Sequence, residues 1–165
     1  MAKDRGGKIE CMRNLFRILS SSLLVGSATG LRSQMGLAAV VLRTDKDGLP
    51  SWLRTTAAAR SVTLAAGAEL VADKLPQTPS RLQPAGLAGR LVLGGLGAGL
   101  LAHAEKGPVV PAAVLGSAAA LLAAKVGHDL RARAAQTVPD PVVAVAEDGV
   151  AIALALVGTG RSRPG

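Results

Sequence analysis

The sequence predicts an all-α integral membrane bundle of about five transmembrane helices. Three observations carry this. The mean hydropathy is +0.37, and only 18% of the 165 residues are charged. The apolar content is Ala, Leu, Val and Gly, with one Trp, one Phe and no Tyr. A soluble core of this size would use several aromatics, because each buries a large area. Helices in lipid instead pack through small residues that let backbones approach closely. Third, Glu69, Asp73, Glu147 and Asp148 lie in or beside these apolar stretches. At mid-bilayer a carboxylate costs roughly 2.5 kcal/mol or more, so an acid there marks a functional site by default. The aromatic belt expected at membrane interfaces is reduced to Trp52.

Residues 1–14 form a basic cytoplasmic N-terminus, with Lys3, Arg5, Lys8 and Arg13. The membrane domain covers 15–158. Its first segment runs from Leu15 to Leu42 and is interrupted by Arg32. A basic start and an apolar run before Gly26-Ser27-Ala28 also resemble a signal peptide. Against that reading, Ser20-Ser21-Ser22 weakens the run, and apolar sequence resumes after Arg32. Asp45 to Pro50 is a turn. The second segment, about Ala57 to Leu75, carries Arg60, Glu69, Asp73 and Lys74, and Pro76, Pro79 and Pro84 end it. The third, Gly86 to Ala104, is Gly-rich. The fourth, Val109 to about Val126, follows Gly107-Pro108 and is long enough to span. Arg131, Arg133, Pro139 and Pro141 mark a connection before the fifth, Val142 to Val157. Residues 159–165 read as a disordered basic tail.

With five crossings, the Lys and Arg residues other than Arg32 divide eleven to seven in favour of the N-terminal side. That bias places the N-terminus in the cytoplasm of a multi-pass protein of the cell inner membrane.

The segments also suggest a duplication. Val25-Gly26-Ser27-Ala28 matches Leu115-Gly116-Ser117-Ala118, and Ala66-Gly67-Ala68-Glu69 matches Ala144-Val145-Ala146-Glu147. Repeats at 15–76 and 109–158, separated by one helix, would have opposite topology, the arrangement of many secondary transporters. Glu69 and Glu147 would then be equivalent.

The candidate binding or coupling residues are Arg32, Glu69, Asp73, Lys74, Glu147 and Asp148. Glu69 and Asp73 share one helix face, four residues apart. Their repulsion is relieved by a cation, a proton or a basic side chain, and Arg32 could bridge them bidentately. The competing reading makes Asp73-Lys74-Leu75-Pro76 a polar helix end at the interface. Glu147 and Asp148 sit about two turns into the last helix, beyond the reach of a simple dipole role. Ser33 and Gln34 could complete a polar pocket beside Arg32.

Gly94 to Gly99 fails the dinucleotide pattern, because Leu100 stands where the last glycine is required. Gly95 and Gly99, like Gly26 and Gly30, are four apart and read as helix-packing faces, through which a homodimer could form. His103 and His128 lack metal-ligand spacing. His103-Ala104-Glu105 lacks the Pro-Cys-x-x-Cys that a deaminase motif requires. The lone Cys11 excludes an intrachain disulfide and a multi-cysteine zinc site. The net charge of +8 is dispersed between apolar runs, without a basic stripe or aromatic interleaving. This argues against nucleic acid and for lipid headgroups. No catalytic constellation and no cofactor motif is present.

Gly30-Leu31-Arg32-Ser33, Glu69 to Pro76 with Thr78-Pro79-Ser80-Arg81, Gly89-Arg90, and Pro139-Asp140-Pro141 before Glu147-Asp148 form a recognisable set. With them the chain resembles the small bacterial integral membrane proteins of domain-of-unknown-function family forty-one twenty-six. The resemblance covers about residues 15–158, and Glu-x-x-x-Asp-Lys-x-Pro is its specific element. It implies an integral membrane protein and supplies neither substrate nor catalytic residue. The sequence therefore leaves two readings: a transporter of a small solute or cation using intramembrane acids, or a non-transporting scaffold or lipid-organising component with structural ion pairs. A membrane-embedded enzyme would need a nucleophile or metal cluster that the sequence does not contain.

Overall fold

The computed structural model describes residues 2–72 and 83–160. Among them are six α-helices: α1 (Ala2–Leu31), α2 (Met35–Arg43), α3 (Thr56–Ala72), α4 (Pro84–Ala104), α5 (Val109–Ala134) and α6 (Asp140–Gly160). Two short 3-10 turns, Lys46–Gly48 and Ser51–Leu53, connect α2 to α3. Asp73, Lys74 and the tail from 161 lie outside the described residues.

Helix α1 is the centre, packed against α4, α5 and α6. Its inner face is unusually polar. Ser21, Ser22 and Thr29 are fully buried beside Ile18, Val25 and Ala28. The Ser22 and Thr29 hydroxyls donate to carbonyls of their own helix, at Ile18 (2.8 Å) and Val25 (3.0 Å), so neither needs an outside partner. A helix surrounded by other helices can carry such residues. The helices around it carry the large apolar side chains outward: Leu91, Val92 and Leu96 on α4, Val114, Leu122 and Val126 on α5, and Val145, Ile152 and Leu156 on α6 are all exposed. This apolar exterior is compatible with a membrane-embedded bundle.

Three helices among the described residues, α4, α5 and α6, are long and apolar enough to cross a membrane. The expectation of about five crossings changes most at the first segment. Leu15 to Leu42 is not one continuous helix. The helix breaks at Arg32-Ser33-Gln34, and α2 folds back along α1. Gly36 makes this hairpin possible: a Cβ there would collide with the Thr29 hydroxyl and the Val25 carbonyl. At nine residues, α2 is only about 13 Å long and covers half a bilayer. The chain completes the return through the two 3-10 turns, whose Leu49 and Leu53 join Val25, Val40, Val41 and Leu101 in the main apolar cluster.

The hairpin places residues 43–60 at the same end of the bundle as Arg17. Gly48 lies against Ala104, Gly107 against Ile18, and Gly160 near the Arg43 guanidinium. The opposite end gathers the α1–α2 turn, the start of α4 and the α5–α6 connection. Helix α5 runs two turns further than expected, to Ala134, which carries Arg131 and Arg133 with it.

Small residues set the helix spacing. A Cβ on Gly26 would fall on the Gly116 carbonyl, and one on Gly30 on the Ala120 carbonyl. A Cβ on Gly94 would come within 2.7 Å of Ala120 Cβ and 2.9 Å of the Gly116 carbonyl oxygen. So α1, α4 and α5 meet backbone to backbone at Gly26, Gly94 and Gly116. Gly95 would meet the Ser117 hydroxyl, whereas Gly99 has ordinary contacts with Ala113 and Val109. Together Gly95, Gly99, Ala113 and Ser117 floor an open groove of 470 Å³ between α4 and α5.

Candidate functional site: the α1–α2 break

The break in the central helix exposes two sets of backbone groups, and a charged side chain from another helix meets each. Helix α2 begins with free amides. Glu69, from α3, accepts hydrogen bonds from the Ser33 amide (2.7 Å) and hydroxyl (2.5 Å) on Oε1, and from the Gln34 amide (2.8 Å) on Oε2. A carboxylate at a helix N-terminus is favoured by both the amides and the dipole. At the other side of the break α1 ends in carbonyls. Buried Arg90, from α4, donates through Nε to the Gly30 carbonyl at 3.1 Å and through Nη1 to Gly86 at 3.3 Å. The charges match the signs of the two helix ends.

Between them lies Arg32, only 1% exposed and the largest fully buried side chain among the described residues. Its guanidinium forms an ion pair with Asp148 of α6. The neighbouring acid, Glu147, lies 3.6 Å from Nη1 of Arg131 on α5. Arg131 also holds Asp140, the first residue of α6, through Nε (2.9 Å) and Nη2 (2.8 Å). Gly127 leaves room for this arrangement, since a Cβ there would sit 2.8 Å from Leu31 Cδ2 and 3.2 Å from Glu147 Oε1.

Of the sequence candidates, Arg32, Glu69, Glu147 and Asp148 therefore gather around residues 31–34, drawn from α1, α3 and α6. Ser33 and Gln34 serve there as donors to Glu69. Arg90 and Arg131 were not among the candidates. Arg90 stands alone in an apolar helical run, the signal that singled out Arg32, whereas Arg131 reads with Arg133 as part of a connection. A groove of 440 Å³ lies beside the cluster between α5 and α6, lined by residues that include Leu31, Val126, Leu130, Arg131, Glu147 and Val150. Among the described residues no group of His, Cys, Asp and Glu could hold a metal ion. The packing of the two proposed repeats differs: α3 rests on α2 and the second 3-10 turn, whereas α6 rests on α1 and α2.

The arrangement defines a class: a small all-helical protein whose central helix breaks at a buried guanidinium, inside an apolar exterior. No protein-family model matches the chain, and no curated protein or solved structure matches it either.

Proposed function

We propose that the chain is a multi-pass integral membrane protein of the plasma membrane that binds and moves a small cation, the proton included, at the α1–α2 break. The observation that carries this reading is the convergence of Glu69, Glu147 and Asp148 from two other helices on the turn that holds buried Arg32. Charged side chains gathered where one helix ends and the next begins can bind an ion together with the helix termini, here at one end of the bundle.

The hairpin supports an orientation as well. The Arg17 end holds the N-terminus, the 43–60 connection, Lys106 and the close of α6. Among residues with described side chains it has eight Lys and Arg residues against five at the Arg32 end. Two of those five, Arg32 and Arg90, are buried inside. The bias favours a cytoplasmic Arg17 end. The matched glycines Gly26 and Gly116 meet face to face, with Gly30 against Ala120 one turn on, so α1 and α5 run parallel and an inverted arrangement of the two matched segments draws no support from this contact. The open Gly95–Gly99 groove would suit a second copy.

The test is cation flux in proteoliposomes, with Glu69→Gln and Asp148→Asn as probes. Both variants should fold and lose most of the flux. Wild-type rates in both would remove the acids from the mechanism. A second reading, a scaffold with structural pairs, is favoured by the close pairing of Arg32 with Asp148. It expects no flux from the wild type and misassembly in the variants.

A further inference from the structure

Arg32–Asp148 closes the end of α1 at the break, and a second, partly buried ion pair lies toward its other end. There Arg17 Nη2 lies 3.1 Å from Glu105 Oε2, and the Glu105 side chain is only 8% exposed. Glu105 follows α4 in the turn to α5, which is tightened by Lys106 in the left-handed region (φ 54°). The two arginines are about four helical turns apart, roughly 22 Å along α1. Their spacing through Ser21 and Ala28 puts Arg17, Ser21, Ala28 and Arg32 on one face.

That face looks onto α6 for most of its length. Asp148 pairs with Arg32, Ala155 clusters with Ala28, and Gly158 lies against the Ser21 carbonyl and Leu24. Between the two pairs, the fully buried Ser21 hydroxyl has no hydrogen-bond partner among the described residues. Ser22 and Thr29 satisfy theirs on α1 itself. Alanine would fill the Ser21 position without leaving a polar atom unmatched. Between Arg17 and Arg32, Gly26 meets Gly116 with no side chain between them, a contact about which one end can open as the other closes.

We propose that Arg17–Glu105 and Arg32–Asp148 are two gates of one pathway along the α1–α6 face, opened in alternation about the Gly26–Gly116 contact, with the Ser21 hydroxyl as the polar step just inside the first gate. This rests on the transport reading and makes it specific: the solute meets Glu105 at one end and the Glu69–Asp148 cluster at the other.

The test uses the full chain in proteoliposomes. Cys11 is the sole cysteine, so a Cys11→Ser background allows reporters at Ser21→Cys and Gln34→Cys. An impermeant maleimide is applied from one face at a time. Glu105→Gln should raise Ser21→Cys labelling from the Arg17 end about tenfold, as a minor open state becomes populated. The same change should reduce Gln34→Cys labelling from the opposite face, and Asp148→Asn should do the reverse. Arg17→Gln replaces Glu105→Gln if the latter does not fold. Unchanged labelling, or a rise at both reporters together, would overturn the gates. Wild-type flux with non-reciprocal labelling would sink the gates alone, whereas absence of wild-type cation flux would sink the transport reading itself.

Discussion

Glu69→Ala is the sharpest test of how the α1–α2 break is held. The carboxylate takes three hydrogen bonds at 2.5–2.8 Å from Ser33 and Gln34, and it joins α3 to the break. Removing it leaves the Ser33 and Gln34 amides at the start of α2 without their acceptor, at about 1–3 kcal/mol for each group that water cannot reach. It also removes a negative charge from a helix N-terminus, worth about 0.3–1 kcal/mol. Both amides are part-buried, so the lower half of the first range applies, and the total comes to about 3 kcal/mol. For a chain of this size each kcal/mol shifts the melting temperature by about 2–4 °C, so the loss is about 6–12 °C. Glu69→Gln keeps an acceptor for Ser33 but can turn an amide NH2 toward the Gln34 N–H, and it should lose about half as much. The assay is thermal unfolding in detergent micelles followed by far-ultraviolet circular dichroism, with Glu10→Ala as control. Glu10 is far out on α1, 77% exposed in its side chain, and its replacement should move the midpoint by no more than surface changes do, within about 0.5 kcal/mol. A Glu69→Ala midpoint indistinguishable from that of the control would refute the capping argument.

Other outcomes follow from the same geometry. Gly116→Ala should destabilise the bundle by about 1–3 kcal/mol, because its Cβ would lie 2.6 Å from the Gly94 carbonyl oxygen. Gly149→Ala, with nothing within 4 Å, should stabilise it by about 0.5–1 kcal/mol; equal signs in the same unfolding assay would overturn the packing account. Arg32→Met should cost about 3–5 kcal/mol by stranding Asp148, and Arg32→Met with Asp148→Leu should recover most of it. No recovery in that double variant would mean the pair is not the unit. Finally, an impermeant maleimide should label Cys11 and, in a Cys11→Ser background, Trp52→Cys from the same side of the membrane, and Thr137→Cys from the other. Labelling of Trp52→Cys and Cys11 from opposite sides would restore a single crossing from Leu15 to Leu42.

The helical segments were legible because hydropathy and Pro/Gly punctuation act locally: α4 starts at Pro84, α5 follows Gly107-Pro108, and α6 starts beside Pro141. The α1–α2 hairpin was not. Its sequence, Arg32-Ser33-Gln34, contains neither Gly nor Pro, and the residue that permits it, Gly36, acts by contact with Thr29 and Val25 one side of the turn away. Missing it placed 43–60 at the wrong end of the bundle relative to the N-terminus. The acids of the site could be picked out because a carboxylate in an apolar helix is expensive anywhere. Their pairing could not, since which arginine meets which acid depends on α3, α4, α5 and α6 converging on one turn. Glu105 escaped notice for a related reason. Between His103 and Lys106 it reads as an interfacial charge, and only the packing of α1 against the α4–α5 turn buries it.

The distribution of polarity then makes physical sense as an inversion of the soluble pattern. The helices that face outward, α4 to α6, carry Leu and Val on their exposed sides, as suits helices long and apolar enough to cross a membrane. Helix α1, shielded by them, can hold Ser21, Ser22, Thr29 and Arg32 without meeting lipid. Its polar groups need partners only from the bundle, and Arg32 takes one from α6. Glycine contacts at Gly26, Gly94 and Gly116 supply the close approach that dispersion requires when hydrophobic burial gives no drive between helices. The same closeness limits how much the bundle can spread, so a polar solute crossing it would have to move along the α1–α6 face, where Ala28, Ala155 and Gly158 keep the walls small. A bulky residue at Gly158, whose Cβ would already lie 3.0 Å from Leu24 Cβ, would close that face while leaving the Glu69 cap and the Arg32 pair untouched. Gly158→Leu should therefore abolish flux with Arg32–Asp148 intact, and a variant that folds and still conducts would place the route elsewhere.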